Sequence, residues 1–407
     1  MLSRVKFAIV VSSTFLTALL VIGALMGNSS SADGAYRQLQ VYTEVLQRIK
    51  SDYVEDPDIK QVTRGALQGL LESLDPHSSY LTAEQYKQYQ ERKPDAQGGV
   101  GLVISKRFGY VVILTALAGS PAAKAGLLAG DLLEVVDGKA ARDLPFPVIQ
   151  SMINGPVGSN VTLLVRRSRR AEDPQELTLT RAAMVIPPVT QKLLADKVGY
   201  LELKTLVTGK AAEVGRAVRE LEGQGAERLV LDLRGNALGD QQEALRVANL
   251  FVPNGLLAYL EGQKFPRKEF PADPRLTISK LPLVVITNRA TSGPAELVAA
   301  AILDRQRGQI VGERTFGLGA VQKTIPVEDG AAIILSVAKY YRPSGKAIQD
   351  GGIQPTFQVA ETEVDLSGQE ESPRAPDQPA GEKPTSEDQL LKKAIEVLNS
   401  AAARAAA

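Results

Sequence analysis

The stretch NRATSGPAELVAAAILDRQRGQIVGERTFGLGAVQ, from Asn288 to Gln322, decides the fold. Pro294 favours the first helical position, which makes Gly293 the N-cap and Glu296 the third helical residue of PAELVAAAILD. The helix is fed by LPLVVITNRA, a continuous apolar strand of the buried parallel kind, and RLVLDLRGN upstream is another. Around them VGYLEL reads as a strand, AAEVGRAVRELEG as an amphipathic helix ending in Gly, and QQEALRVANLF as a helix. AAIILSVAKYYRPSGKAI reads as strand, turn and return. Strands alternating with helices over 184–360 predict an α/β core.

These residues closely resemble the catalytic segment of the C-terminal processing peptidases, the tail-cleaving Ser/Lys proteases of family S41. Their pattern is a Ser-rich turn entering a helix through Glu, then Val-Gly-Glu, then Thr-Phe-Gly-Lys-Gly and Val-Gln. Glu296, Val311, Gly312, Glu313, Thr315, Phe316, Gly317, Gly319, Val321 and Gln322 match without a gap. The resemblance then places Gly293 where the family has its nucleophilic Ser and Leu318 where it has its general-base Lys. It implies a ClpP/crotonase-like peptidase core that has kept its fold and lost its dyad. Asp232-Leu233-Arg234-Gly235-Asn236 matches the family's strand-end motif. Where the family continues Pro-Gly-Gly into the oxyanion loop, this chain has Ala237-Leu238-Gly239, so Gly239 takes the oxyanion-loop position and Leu238 is a further departure.

In a Ser/Lys protease the hydroxyl attacks the peptide carbonyl while a desolvated, neutral Lys accepts its proton. Glycine has nothing to attack with, and leucine cannot carry a proton. Removing such a nucleophile costs on the order of a million-fold in turnover, roughly 8 kcal/mol. The remaining catalytic candidates are Ser292 and Gln322. Ser292 falls one residue early and outside the helix. Lys323 is the nearest alternative base, but alternation on a strand turns it away from the face that Gln322 occupies.

From 97 to 183 the pattern changes to short β runs, VGLVIS, YVVILTA, DLLEVVDG, NVTLLVRR and ELTLTRA, separated by SPAAKAGL and PFPVIQSMI. Their order resembles a PDZ domain of the circularly permuted bacterial protease type. The resemblance makes Gly99, Val100, Gly101 and Leu102 the carboxylate loop, where successive backbone N–H groups would receive a peptide C-terminus beside an open strand edge. Upstream, 36–96 reads as a helical cap region ending near LDPHSSYL, Leu74 to Leu81, a signature this family also carries. His77 there is expected to be a hydrogen-bonded turn residue rather than a catalytic one.

Residues Phe7 to Met26 form about twenty mostly apolar residues after Arg4 and Lys6, enough to span a bilayer. Residues 1–27 are therefore expected to be an uncleaved anchor, the alternative being a signal peptide removed on export. The expected location is the inner membrane facing the periplasm or cell exterior, or the periplasm after cleavage. Residues 361–386 read as a disordered Pro/Glu/Gly/Ser linker and 387–400 as a C-terminal helix.

The chain has no Cys and one His, which excludes disulfides and any multi-histidine metal site. No cofactor or metal is expected. A net charge of +1 gives no reason to expect nucleic acid. The whole implies an α/β multidomain pseudopeptidase that binds polypeptide C-termini or unfolded protein, alone or with an active homologue or adaptor. The alternative is an active serine-type endopeptidase processing protein C-termini.

Overall fold

The computed structural model describes residues 32–91, 98–168, 173–360 and 388–406. The expected N-terminal anchor and the 361–386 linker lie outside the described residues. Among those described, no helix is long and apolar enough to cross a membrane.

Residues up to Leu67 form one unit and Gln68–Ala407 a second. The first holds helix Ala32–Asp52 and the start of helix Ile59–Glu72. Tyr42, Leu46 and Ile49 recur at helical spacing and are its half-buried residues.

The second unit contains three sheets. An antiparallel sheet runs in the order Leu102–Arg107, Tyr110–Ala116, Leu132–Val136, Asn160–Arg166, Gln175–Thr180, with Lys139–Ala140 beside the third strand. Helix Phe146–Ile153 closes it, burying Ile149 and Ile153 among Val100, Ile113 and Leu163. The C-terminal carbonyls of that helix would be orphaned without a cap. Arg181 supplies it: Nη2 donates to Met152 O at 2.5 Å and Nε to Ile153 O at 3.1 Å.

The peptidase-like core is a sheet ordered Phe357–Gln358, Gln309–Gly312, Leu283–Thr287, Arg228–Asp232, Val198–Glu202 and Thr190–Leu193, parallel except for the last pairing. Alternate residues serve opposite faces, as a period of two requires. Leu229, Leu231 and Val285 join the core with helices Lys210–Gly223, Gln241–Asn249 and Pro294–Asp304. Val230, Val284 and Ile286 lie instead under Leu390, Ala394, Val397 and Leu398 of helix Gln389–Ala406. This double burial explains the unbroken apolar runs Leu229–Leu231 and Leu283–Ile286 in the two central strands.

The third sheet places Ser79–Leu81, Ala332–Tyr341, Leu256–Glu261 and Lys268–Pro271 side by side, with Ala320–Pro326 also on Ala332–Tyr341. The return strand expected after Tyr341 is reduced to one bridge, Tyr341 to Ala347. Asp304 explains the difference, since it holds the turn itself, pairing with Arg342 and accepting Ser344 N–H at 3.0 Å.

Because Leu398 is 1% exposed against a sheet face, Leu398→Ala should cost about 2–5 kcal/mol of stability. Urea unfolding followed by circular dichroism measures it.

Candidate active site

Strand Leu283–Thr287 ends in a tight passage, Asn288 to Gly293, that reverses into helix Pro294–Asp304. Side chains pin the passage to the neighbouring strand end. Asn288 Oδ1 accepts Gly235 N–H at 3.1 Å, and Thr291 Oγ1 donates to Leu233 O at 2.9 Å. Ser292 N–H donates to Asn236 O at 2.9 Å. Gly293 at the apex takes φ 58° and ψ −117°, a conformation that costs a side-chain-bearing residue of order 1–3 kcal/mol.

The carboxylate of Glu296 governs what surrounds that apex. Oε2 accepts Gly293 N–H at 2.9 Å and Leu318 N–H at 2.7 Å, while Oε1 accepts Gly317 N–H at 2.8 Å and the Thr315 hydroxyl. One buried group therefore joins the turn before the helix to the Thr315–Leu318 loop. Burial pushes its carboxyl up to about 7, against the pull of the four donors.

The consequence for Gly293 and Leu318 is direct. A Cβ built on Gly293 would lie 3.9 Å from Leu318 Cδ2 and would meet nothing closer. The two positions that the family pattern gives to nucleophile and base face each other, with room for a side chain, and carry no proton-transfer chemistry. Both line a cavity of about 360 Å³ with Leu238, Gly239 and Gln322.

Ser292 is 0% exposed, its Oγ has no hydrogen-bond partner among the described residues, and it does not line that cavity. Gly293 occupies the apex, so the preceding side chain is directed into the protein. Gln322 does line it and is exposed, its Nε2 3.5 Å from Ser336 Oγ. Lys323, next along the strand, is exposed and off the cavity.

At the oxyanion-loop position the close backbone approach falls on Gly239. A Cβ there would sit 2.5 Å from the Leu206 carbonyl, and Leu206 pairs with the loop on both sides, N–H to Leu238 O at 2.7 Å and O to Asp240 N–H at 2.9 Å. Leu238 needs no glycine freedom, and its substitution leaves that approach intact. The N–H groups of Leu238 and Gly239 donate to nothing among the described residues.

The Gly99–Leu102 loop behaves unevenly. Gly99 N–H is consumed by Ala182 O at 2.9 Å, whereas Val100 and Gly101 N–H groups donate to nothing among the described residues. Leu102 opens the strand at one edge of its sheet. Val103 and Ile104 of that strand, with Phe146, Pro147 and Gln150 of the following helix, form the wall opposite Gly293. Sequence reasoning did not place this helix at the site, because nothing local to it signals a contact with a loop so far along the chain.

His77 also reaches the cavity, its ring edge-on to Phe146 at 5.4 Å, and burial holds its imidazole below the usual range. The His77 backbone N–H donates to Asp75 Oδ1 at 2.9 Å in the expected turn. Ser78 Oγ donates to Asp75 Oδ2 at 2.7 Å, not to His77, so the two make no dyad.

A PDZ-type sheet opposed to a strand–turn–helix with an oxyanion-type loop defines a serine-peptidase scaffold. The peptidase family S41 profile matches residues 197–359, and a PDZ profile matches 112–167. The carboxy-terminal-processing protease of Bartonella bacilliformis is 30% identical over 359 residues, 87% of this chain and 82% of its own. The carboxyl-terminal-processing protease of Synechocystis is 34% identical over 315 residues, covering 75% of this chain and 73% of that one. A solved photosystem II D1 C-terminal processing protease superposes with a TM-score of 0.66 at 29% identity, over 81% of this chain and 95% of that one. The chain belongs to the carboxy-terminal-processing protease family of S41 peptidases.

Glu296 gives the site a pH signature. Its folded value, about 7, lies above the ordinary carboxyl value of 4.5. The folded protein then holds a proton that the unfolded chain releases, so stability is greatest below the unfolded value. It is lost as pH rises through the folded one, by roughly 3 kcal/mol in all. Glu296→Gln should abolish that slope. It should also cost about 1–3 kcal/mol at low pH, because an amide NH₂ faces backbone donors. The gap to wild type should narrow towards pH 8 in chemical denaturation.

Proposed function

We propose that this protein is a proteolytically inactive member of its family, a pseudopeptidase that holds peptide C-termini rather than cutting them. The observation that carries the reading is the facing pair Gly293 and Leu318, with Ser292 buried behind the apex. No hydroxyl or amine occupies the place where attack and proton transfer would occur. What remains favours binding: N–H groups at Val100 and Gly101 that donate to nothing among the described residues, an open strand edge, and a cavity leading from that edge to Leu318. The Phe7–Met26 segment supports export and membrane attachment of the folded part.

Incubation with an unstructured protein, read by mass spectrometry for new C-termini, tests this. Neither wild type nor Ser292→Ala should produce any. Cleavage by wild type that disappears in Ser292→Ala would make this an active protease with a shifted nucleophile.

A gain of function should be available. The Gly293→Ser/Leu318→Lys double variant places a hydroxyl and a desolvated amine in the retained frame and should generate new C-termini. Reverting either position should remove them. Gly293→Ser alone should be destabilised by about 1–3 kcal/mol, the strain of a left-handed side chain at that apex.

A further inference from the structure

The hairpin joining strands Leu102–Arg107 and Tyr110–Ala116 has a two-residue loop, Phe108 at φ 51° and Gly109 at φ 80°. Asn or Gly is the residue such a loop favours at its first position, because a bulky side chain is strained there. Phe108 is also 85% exposed. An aromatic ring is thus held out to water at the one position where the hairpin itself would favour another residue.

Beside it lies a cavity of about 900 Å³ between the PDZ-type sheet and the peptidase core. It is separate from the one holding Gly293. Arg107 stands between two rings, its guanidinium carbon 5.4 Å from the Phe108 centroid and 5.2 Å from that of Phe316. Among the described residues Arg107 has no carboxylate partner, and Arg314 binds only the Asp350 carbonyl, at 2.7 Å. Arg289 is paired with Glu313 at 3.1 Å. The wall thus alternates aromatic rings with two guanidinium groups whose charge no carboxylate neutralises.

We propose that this cavity docks an extended acidic segment of a partner polypeptide. Its carboxylates would reach Arg107 and Arg314, and its apolar side chains would lie on Phe108 and Phe316. Arginine forks match carboxylates bidentately, and a cavity of about 900 Å³ suits a chain rather than a single anion.

The probe is a fluorescein-labelled peptide alternating Glu and Leu, titrated by anisotropy with the whole chain at physiological salt. Its Gln-for-Glu counterpart and Arg107→Ala should each weaken binding at least tenfold. Phe108→Asn should weaken it equally while leaving the melting temperature unchanged or higher, since Asn relieves the left-handed strain. Loss of binding with that thermal behaviour separates a recognition role from a folding defect. Absence of saturable binding, or binding indifferent to Arg107 and Phe108, would overturn the proposal. So would binding that appears only after the carboxylates between Glu361 and Glu387 are replaced by amides, because the chain's own acidic segment would then be the occupant.

Discussion

The carboxylate of Glu296 is the constraint on which the rest of the site depends. Four donors from two distant loops converge on one buried group, so the strand–helix turn and the Thr315–Leu318 loop cannot move independently. A buried anion with fewer donors would be costly, and the donors without it would be orphaned, so the parts hold only together. That is a physical reason for the frame to hold with Gly293 and Leu318 at its centre. The group that keeps the geometry takes no part in nucleophilic attack.

The cleft this frame creates is shared. One side comes from the peptidase core, at Gly293, Leu318 and the Leu238–Gly239 loop, and the other from the PDZ-type strand and helix at Ile104, Phe146 and Pro147. A peptide added along the Leu102–Arg107 edge would run beside a wall that is continuous with Gly293 and Leu318. Its lining is mixed, with Ile104, Leu238 and Leu318 beside Gln150, Gln241 and Gln322, as suits an extended chain that presents both side chains and backbone.

Much of this was legible in the sequence because it depends on local rules. Pro294 announced the helix start and Glu296 its third residue, and uninterrupted apolar runs announced strands buried on both faces. The opposition of Gly293 and Leu318 followed from an ungapped motif. What could not be read depends on distant partners. Three of the four donors to Glu296 lie on another loop. Phe146 and Pro147 reach the cleft only through tertiary packing. Leu238 looked like a lost glycine at a close approach, but the register of Leu206 puts that approach at Gly239. The strand after Tyr341 gave way to a turn held by Asp304, whose role no spacing revealed.

Placing the last helix across the central sheet has a temporal consequence. Val230, Val284 and Ile286 are covered by residues from Leu390 to Leu398, which a ribosome delivers long after the strands themselves. Strand Ser79–Leu81 must likewise wait for Ala332–Tyr341 before it can pair. A chain emerging from its N-terminus therefore carries one apolar sheet face uncovered until residues 390–398 follow. Long-range closure of this kind is slow and leaves the incomplete fold open to aggregation, so the protein's dependence on chaperones should be greatest before the helix Gln389–Ala406 docks.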